Sequence, residues 1–305
     1  SNSSEGVTSV LRAADSLCYV SKDRGGNRIH VYDPDDLELE RRHDEMQLVT
    51  QLNQALEEDR LFLNFQNIIP TNPNTDDLHH YELLVRMHDD KGNIISPGMF
   101  LGAAERYNIS TKIDRWVTHN AFQWLAQHPN HLDQLALCSI NLSGSSLNDE
   151  SFQEPLIEDL LQSGVPPQKI CFEITETIAI ANLTKAIEFI KSVRKYGCHF
   201  ALDDFGTGFC SFAYLKTLPV DYLKIDGVFI KDILNNPTDE ALVKSVNDIG
   251  HTMGKKTIAE FVDSLEILEK LRELGVDDAQ GYAICKPRPV EELEQPKLML
   301  PTIES

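Results

Sequence analysis

Seven apolar, β-forming segments of this chain carry polar residues within or at their ends: Glu82, Asn141, Glu173, the adjacent Asp203 and Asp204, Lys224 with Asp226, Glu260, and Gln280. The settings are alike, as in Cys138-Ser139-Ile140-Asn141 and Thr257-Ile258-Ala259-Glu260. A single carboxylate at a strand end is ordinarily a helix N-cap or a solvated loop residue. A set recurring on successive strands is a different observation. Glu82, Glu173, Asp203, Asp204 and Glu260, brought to one place, would repel unless protonated or bound to cations. Hard oxygen donors with one amide point to Mg²⁺ or Mn²⁺, and no His/Cys constellation suits zinc.

On the segment around 80–87, residues two apart share a face, so Glu82, Leu84 and Arg86 point one way and Leu83 and Val85 the other. Arg86 either clamps a phosphate bidentately or forms a structural ion pair with Glu82. After Asp204 comes Phe205-Gly206-Thr207-Gly208, whose glycines allow a tight backbone path near a ligand. Asp-Phe-Gly also occurs in protein kinases, but no Gly-x-Gly-x-x-Gly loop or His-Arg-Asp segment precedes it. No Gly-x-Ser-x-Gly elbow is present either, which removes that serine-hydrolase reading.

Such residues need a scaffold that gathers strand ends. Candidate strands lie near 62–69, 80–87, 135–141, 170–175, 199–204, 221–226, 255–260 and 277–280, with helical patterns at 113–127, 151–163, 183–196, 238–253 and 264–274. This alternation predicts an α/β fold, a TIM-like (β/α)8 barrel, in which active sites occupy the C-terminal ends of the strands. Only Pro70 to His80 separates the first two strands. A parallel crossover needs a dozen residues or more, so the first strand is predicted to be irregular and antiparallel.

Composition narrows the partners. The 305 residues are 41% hydrophobic and 25% charged, which excludes collagenous, disordered and disulfide-stapled chains. A net charge of −20 disfavours DNA and anionic membrane surfaces, so a phosphate ligand needs local positive charge. Six scattered cysteines without a Cys-x-x-Cys pair, and no apolar run of about 18 residues, read as reduced thiols in a cytoplasmic protein without direct membrane insertion. The chain begins Ser-Asn-Ser-Ser and its first methionine is Met46, which reads as a processed or engineered fragment, with a tag remnant at its start. Three segments are expected: 1–32, too short to fold alone; 33–60, a linker helix with Leu48, Val49, Leu52 and Leu56 at helical spacing; and 61–305, the barrel.

From about 61 to 292 the sequence resembles the EAL-domain phosphodiesterases of bacterial cyclic di-GMP signalling, which bears on biofilm formation. The likeness rests on Glu82-Leu83-Leu84-Val85-Arg86, Asn141-Leu142-Ser143, Glu173-Ile174-Thr175-Glu176, Asp203-Asp204-Phe205-Gly206-Thr207-Gly208, Leu223-Lys224-Ile225-Asp226, Ala259-Glu260 and Gln280-Gly281-Tyr282. The ordered set is far more specific than any one motif. Residues 7–32 resemble the last helix and strand of a GGDEF domain, through Ala14 to Tyr19 and Gly26-Asn27-Arg28, without its signature loop.

The resemblance implies hydrolysis of cyclic di-GMP to linear pGpG with two Mg²⁺ or Mn²⁺ ions. Glu82, Asn141, Glu173 and Asp203 would hold one ion, and Asp203, Asp204 and Glu260 the other. It also implies that Lys224 contacts the attacking water or the phosphate, its role as a base being open, and that Gln280 orients water. Arg86 and Asp226 would bind substrate, Gln66 would meet a guanine, and Glu176 would pin the loop that starts at Asp204. A homodimer communicating through Phe209 to Lys216, with upstream GGDEF and sensor domains in a longer parent protein, is implied as well. Any membrane attachment would come from those upstream segments.

The departures are Leu83 for the motif's alanine, Asn67 for a usual proline, and Phe261 and Asp263 for a common glycine and glutamate. Strand alternation turns Leu83 toward the helix layer, away from the site. Two alternatives stand beside the enzyme: a catalytically weak receptor for cyclic di-GMP, and a metal phosphodiesterase for another substrate.

Overall fold

In the computed structural model, residues 37–72, 78–206 and 213–294 are described. The expected GGDEF-like segment 1–32 lies outside them. The chain runs α1 (Leu37–Glu57), β1 (Leu61–Pro70), β2 (His79–His88), β3 (Ile94–Ile95), α2 (Pro97–Arg106), α3 (Ser110–Gln127), α4 (Pro129–Gln134), β4 (Leu135–Asn141), α5 (Gly144–Asn148) and α6 (Glu150–Ser163). It continues β5 (Ile170–Thr175), α7 (Glu176–Ala181), α8 (Leu183–Arg194), β6 (His199–Phe205), β7 (Tyr222–Ile225), α9 (Gly227–Ile230), α10 (Pro237–Thr252), β8 (Lys256–Ala259), α11 (Leu265–Leu274), β9 (Asp278–Gln280) and β10 (Arg288–Pro289).

Local chemistry marks the longer helices. Asp149 caps α6 and Gly164, at φ 77°, ends it. Asn236 caps α10 ahead of Pro237, and Ser264 and Gly275 bracket α11 in the same manner as α6.

Two compact units are distinguished, residues 1–60 with 87–107 and residues 61–86 with 108–305. Within the first, α1 packs on α2, and Arg106 pairs with the buried Glu45 at 2.8 Å. The two residues of β3 pair antiparallel with Met87 and His88.

The second unit holds the barrel. Strands β2, β4, β5, β6, β7, β8 and β9 are successive parallel neighbours, whereas β1 runs antiparallel to β9 and also pairs with β2, closing the ring. The fold is the eight-stranded α/β barrel expected, with its first strand reversed. Outward-facing residues build the layer under the helices: Phe172 meets Phe200 at 5.7 Å, and Phe200 meets Phe189 of α8 edge-on at 6.2 Å. Inside, Leu137, Cys171 and Ala201 form an apolar floor with Tyr222 packed on it. Cys171, Ala201 and Tyr222 each lie two residues before Glu173, Asp203 and Lys224, so alternation puts those polar groups one layer above.

Directly after β9, Gly281 sits where a Cβ would lie 2.2 Å from the backbone N and O of Val262. That backbone is fixed on both sides, since Val262 N–H donates to Gln280 and its carbonyl accepts from Ala283, each at 3.0 Å. Gly281→Ala is expected to cost about 1–3 kcal/mol through overpacking. A urea midpoint equal to that of the unaltered protein would refute this.

Candidate active site

The barrel carries its polar layer toward the C-terminal ends of the parallel strands. At its centre is Lys224 of β7, wholly buried, its ammonium 2.6 Å from Glu173 Oε2, 2.9 Å from Glu260 Oε1, 3.2 Å from Asp203 Oδ1 and 3.3 Å from Glu82 Oε2. Four strands thus deliver four carboxylates to one cation, a surplus of three negative charges when all are ionised.

Glu82 is the best-served of them. Asn141 Nδ2 donates to its Oε1 at 2.5 Å and Gln280 Nε2 to its Oε2 at 2.7 Å. Burial alone would raise its pKa, but Lys224, Gln280 and Asn141 together hold it below the ordinary carboxylate value. The other acids lack such support. Burial pushes Glu173 up to about 8 and also raises Asp203 and Glu260, in spite of Lys224. Four carboxylates in turn keep the Lys224 ammonium well above its usual pKa, overcoming the burial that opposes them.

Asp203 and Asp204 need a special backbone to act together, because neighbours on a regular strand face opposite ways. The register of β6 against β7 slips between Leu202 and Phe205, and Asp204 adopts φ 53°. This bulge lets Asp203, Asp204 and Glu260 each place a carboxylate oxygen within 4.8 Å of the others. Burial, with Asp203 and Asp226 alongside, raises Asp204 to about 6. The residue after Glu260, Phe261, also sits at φ 53°. Strained backbone of this sort gathers at functional sites.

Whether the donor set suits divalent cations can be judged from its unsatisfied atoms. Glu173 Oε1 is buried and accepts no hydrogen bond, and the four carboxylates around Lys224 leave the surrounding charge under-neutralised. Hard carboxylate oxygens short of positive charge fit Mg²⁺ or Mn²⁺.

Other expected residues take up supporting places. Arg86 is half-buried, donates to its own strand at Val85 O over 2.9 Å, and makes no ion pair among the described residues, Glu82 included. Its structural ion-pair reading therefore has no counterpart here. Asp226 caps α9 by accepting from Val228 N–H at 2.7 Å and faces Asp204. Glu176, wholly buried, accepts from Gly206 N–H at 2.9 Å and from the Tyr214 hydroxyl, spanning the two sides of segment 207–212, which lies outside the described residues. The expected dimer segment Phe209 to Lys216 falls partly within that range.

Gln66, expected to meet a guanine, lies beside Gln280 in the barrel interior. Its amide is buried and engaged at both ends, donating to Cys285 O at 2.9 Å and accepting from Gln280 at 3.3 Å. It belongs to a relay running Cys285, Gln66, Gln280, Glu82. One positioning residue went unseen in the sequence: buried Asp114 of α3, whose Oδ2 accepts from Ser143 N–H at 2.8 Å and from the Ser143 and Ser146 hydroxyls at 2.6 Å each. It ties down the turn that follows Asn141. Its only sequence signal is an acid beside Ile113 and Val117 in an otherwise apolar-periodic helix.

The site is thus an acidic cluster with donors suited to a divalent cation, at the mouth of a TIM-like barrel. The EAL domain profile matches residues 49–287, and the chain belongs to the EAL domain family. It is 42% identical over 281 residues to the cyclic di-GMP phosphodiesterase PdeB of Shewanella oneidensis, covering 92% of this chain and 33% of that protein. The cyclic di-GMP phosphodiesterase PdeA of Borreliella burgdorferi is 37% identical over 238 residues, covering 77% and 35%. The chain spans about a third of the length of these relatives. Among solved structures, the PaMucR phosphodiesterase in complex with c-di-GMP superposes with a TM-score of 0.75 at 30% identity, over 81% of this chain and 99% of that one. The FimX EAL domain of Pseudomonas aeruginosa bound to c-di-GMP gives 0.73 at 32%, over 79% and 96%.

Proposed function

We propose that this chain hydrolyses cyclic di-GMP to linear pGpG. The observation that carries the reading is the ring of Glu82, Glu173, Asp203 and Glu260 about Lys224, with buried Glu173 Oε1 left unsatisfied. Glu82, Asn141, Glu173 and Asp203 would hold one Mg²⁺ or Mn²⁺ ion, and Asp203, Asp204 and Glu260 a second. Such ions lower the pKa of water and stabilise charge on attacking and leaving oxygens.

The chain's own groups do the rest. Gln280 and Asn141 fix the Glu82 carboxylate, and Gln66 fixes Gln280. Arg86 supplies a guanidinium for the substrate phosphate, and Asp226 a further substrate contact. Lys224, held as an ammonium, adds positive charge beside the phosphate. Water adds across one P–O bond, leaving a 5′-phosphate on one guanosine and a free 3′-hydroxyl on the other. Homodimerisation and attachment to upstream GGDEF and sensor domains of a cytoplasmic parent belong to the same proposal. The described residues contain no helix long and apolar enough to cross a membrane.

Incubation with cyclic di-GMP and Mg²⁺ or Mn²⁺, followed by chromatography, is expected to yield pGpG. No pGpG at any metal concentration would leave a cyclic di-GMP receptor. Faster cleavage of another cyclic dinucleotide would reassign the substrate.

A further inference from the structure

Tyr81 carries a hydroxyl that packing alone does not require. Its ring is wholly buried on the outer face of β2, edge-on to Phe65 of β1 at 5.9 Å and opposite Cys138 of β4, a place that phenylalanine would fill equally well. A buried hydroxyl is costly unless paired. This one lies 3.0 Å from Nε2 of His131, a buried imidazole of α4 that Trp124 of α3 meets edge-on at 5.2 Å. Burial lowers His131 to about 4, so the hydrogen bond keeps a neutral partner near pH 7.

The bond spans an irregular stretch of the barrel. His79 lies opposite Leu135 on β4 but His80 lies opposite Leu137, so Ala136 is an extra residue, bulged out immediately before Tyr81. The strand β4 follows α4 without a break, so His131 stands just ahead of that bulge. The extra residue decides what Glu82 faces. Paired without it, β2 would bring inward-facing Glu82 opposite outward-facing Cys138; with it, Glu82 faces Ser139, and Asn141 Nδ2 reaches Glu82 Oε1 at 2.5 Å.

We propose that Tyr81 and His131 form a register pin, two positioning residues that hold the bulge between β2 and β4 and thereby aim the Glu82 carboxylate at a divalent cation. The pin rests on the metal-dependent reading above, and its two side chains lie in the helix layer, outside the acidic centre.

Mg²⁺ calorimetry and steady-state kinetics of the full chain test it. Tyr81→Phe, which keeps the ring, is expected to raise the Kd for Mg²⁺ about tenfold and to lower kcat at limiting Mg²⁺ by a similar factor, with the KM for cyclic di-GMP within twofold. His131→Leu is expected to do the same, and the double variant to be no worse than either single one, because all three remove one bond. A merely structural role would lower Tm and leave the Mg²⁺ affinity alone. A Tyr81→Phe Kd for Mg²⁺ within twofold of the unaltered protein, or losses that add in the double variant, overturns the pin and leaves the phosphodiesterase standing. An unaltered chain that binds Mg²⁺ without cleaving cyclic di-GMP overturns the substrate reading, and the Mg²⁺ affinities still decide the pin. One that binds no Mg²⁺ overturns both.

Discussion

Glu82→Ala is expected to lower kcat by on the order of 10³-fold or more while the Kd for substrate changes by less than about tenfold. Glu82 is the one acid of the ring whose two oxygens are both fixed by neutral amides, Asn141 at 2.5 Å and Gln280 at 2.7 Å. Those bonds hold it ionised and aimed, which a cation ligand requires. Its removal strips an oxygen from the proposed metal set and leaves two amides without their acceptor. In the proposed function the substrate phosphate is held by Arg86, which the change does not touch. Folding is checked separately: the variant should melt cooperatively, and the rise in Tm on adding Mg²⁺ should shrink. A kcat within tenfold of the unaltered enzyme would remove Glu82 from the catalytic centre.

The barrel was legible because its central strands, covered on one side by helices and filled on the other, read as apolar runs of four to seven residues separated by helical periods. The polar layer was legible for the same reason, since a glutamate inside Cys171-Phe172-Glu173-Ile174 has no other explanation as good. What escaped was set by geometry with no period. Alternation separates Asp203 from Asp204, and only a bulge with Asp204 at φ 53° reunites them. Gln66 finds its partners at Gln280 and Cys285, more than 200 residues away, so no spacing rule could foresee that relay. The short α4, α5, α7 and α9 and the two-residue β3 and β10 carry too few turns or pleats to show a pattern. Phe261 was visible as a departure from glycine, and its positive φ now explains why glycine is the easier residue there.

Without divalent cations, the same electrostatics should make the protein less stable as pH rises from about 6.5 to 8. A carboxyl with a folded pKa above its unfolded one keeps its proton in the folded state while the unfolded chain ionises, so stability declines with pH across that interval. Glu173, raised by burial from 4.5 to about 8, spans the window, and the raised Asp203 and Glu260 act in the same sense. Asp204 and Asp278, each raised to about 6, act only below it. His80 and His131, which burial lowers to about 3 and about 4, work oppositely, giving stability that grows with pH until about 6.5. Those histidines mask the carboxylates in mild acid and fall silent above it. Glu82, lowered, contributes its pH dependence below 4.5, and Lys224, raised, contributes above 10.5. Roughly 2 kcal/mol is at stake between pH 6.5 and 8, or about 4–8 °C in Tm for a domain of this size. Saturating Mg²⁺ should reverse the slope, because cation affinity grows as its ligands lose protons, and a concentration of 100 Kd adds about 2.7 kcal/mol. Melting curves in EDTA and in Mg²⁺ across this range decide the matter: a flat profile in EDTA, or a Tm indifferent to Mg²⁺, would mean that Lys224 alone neutralises the ring and that no cation belongs there.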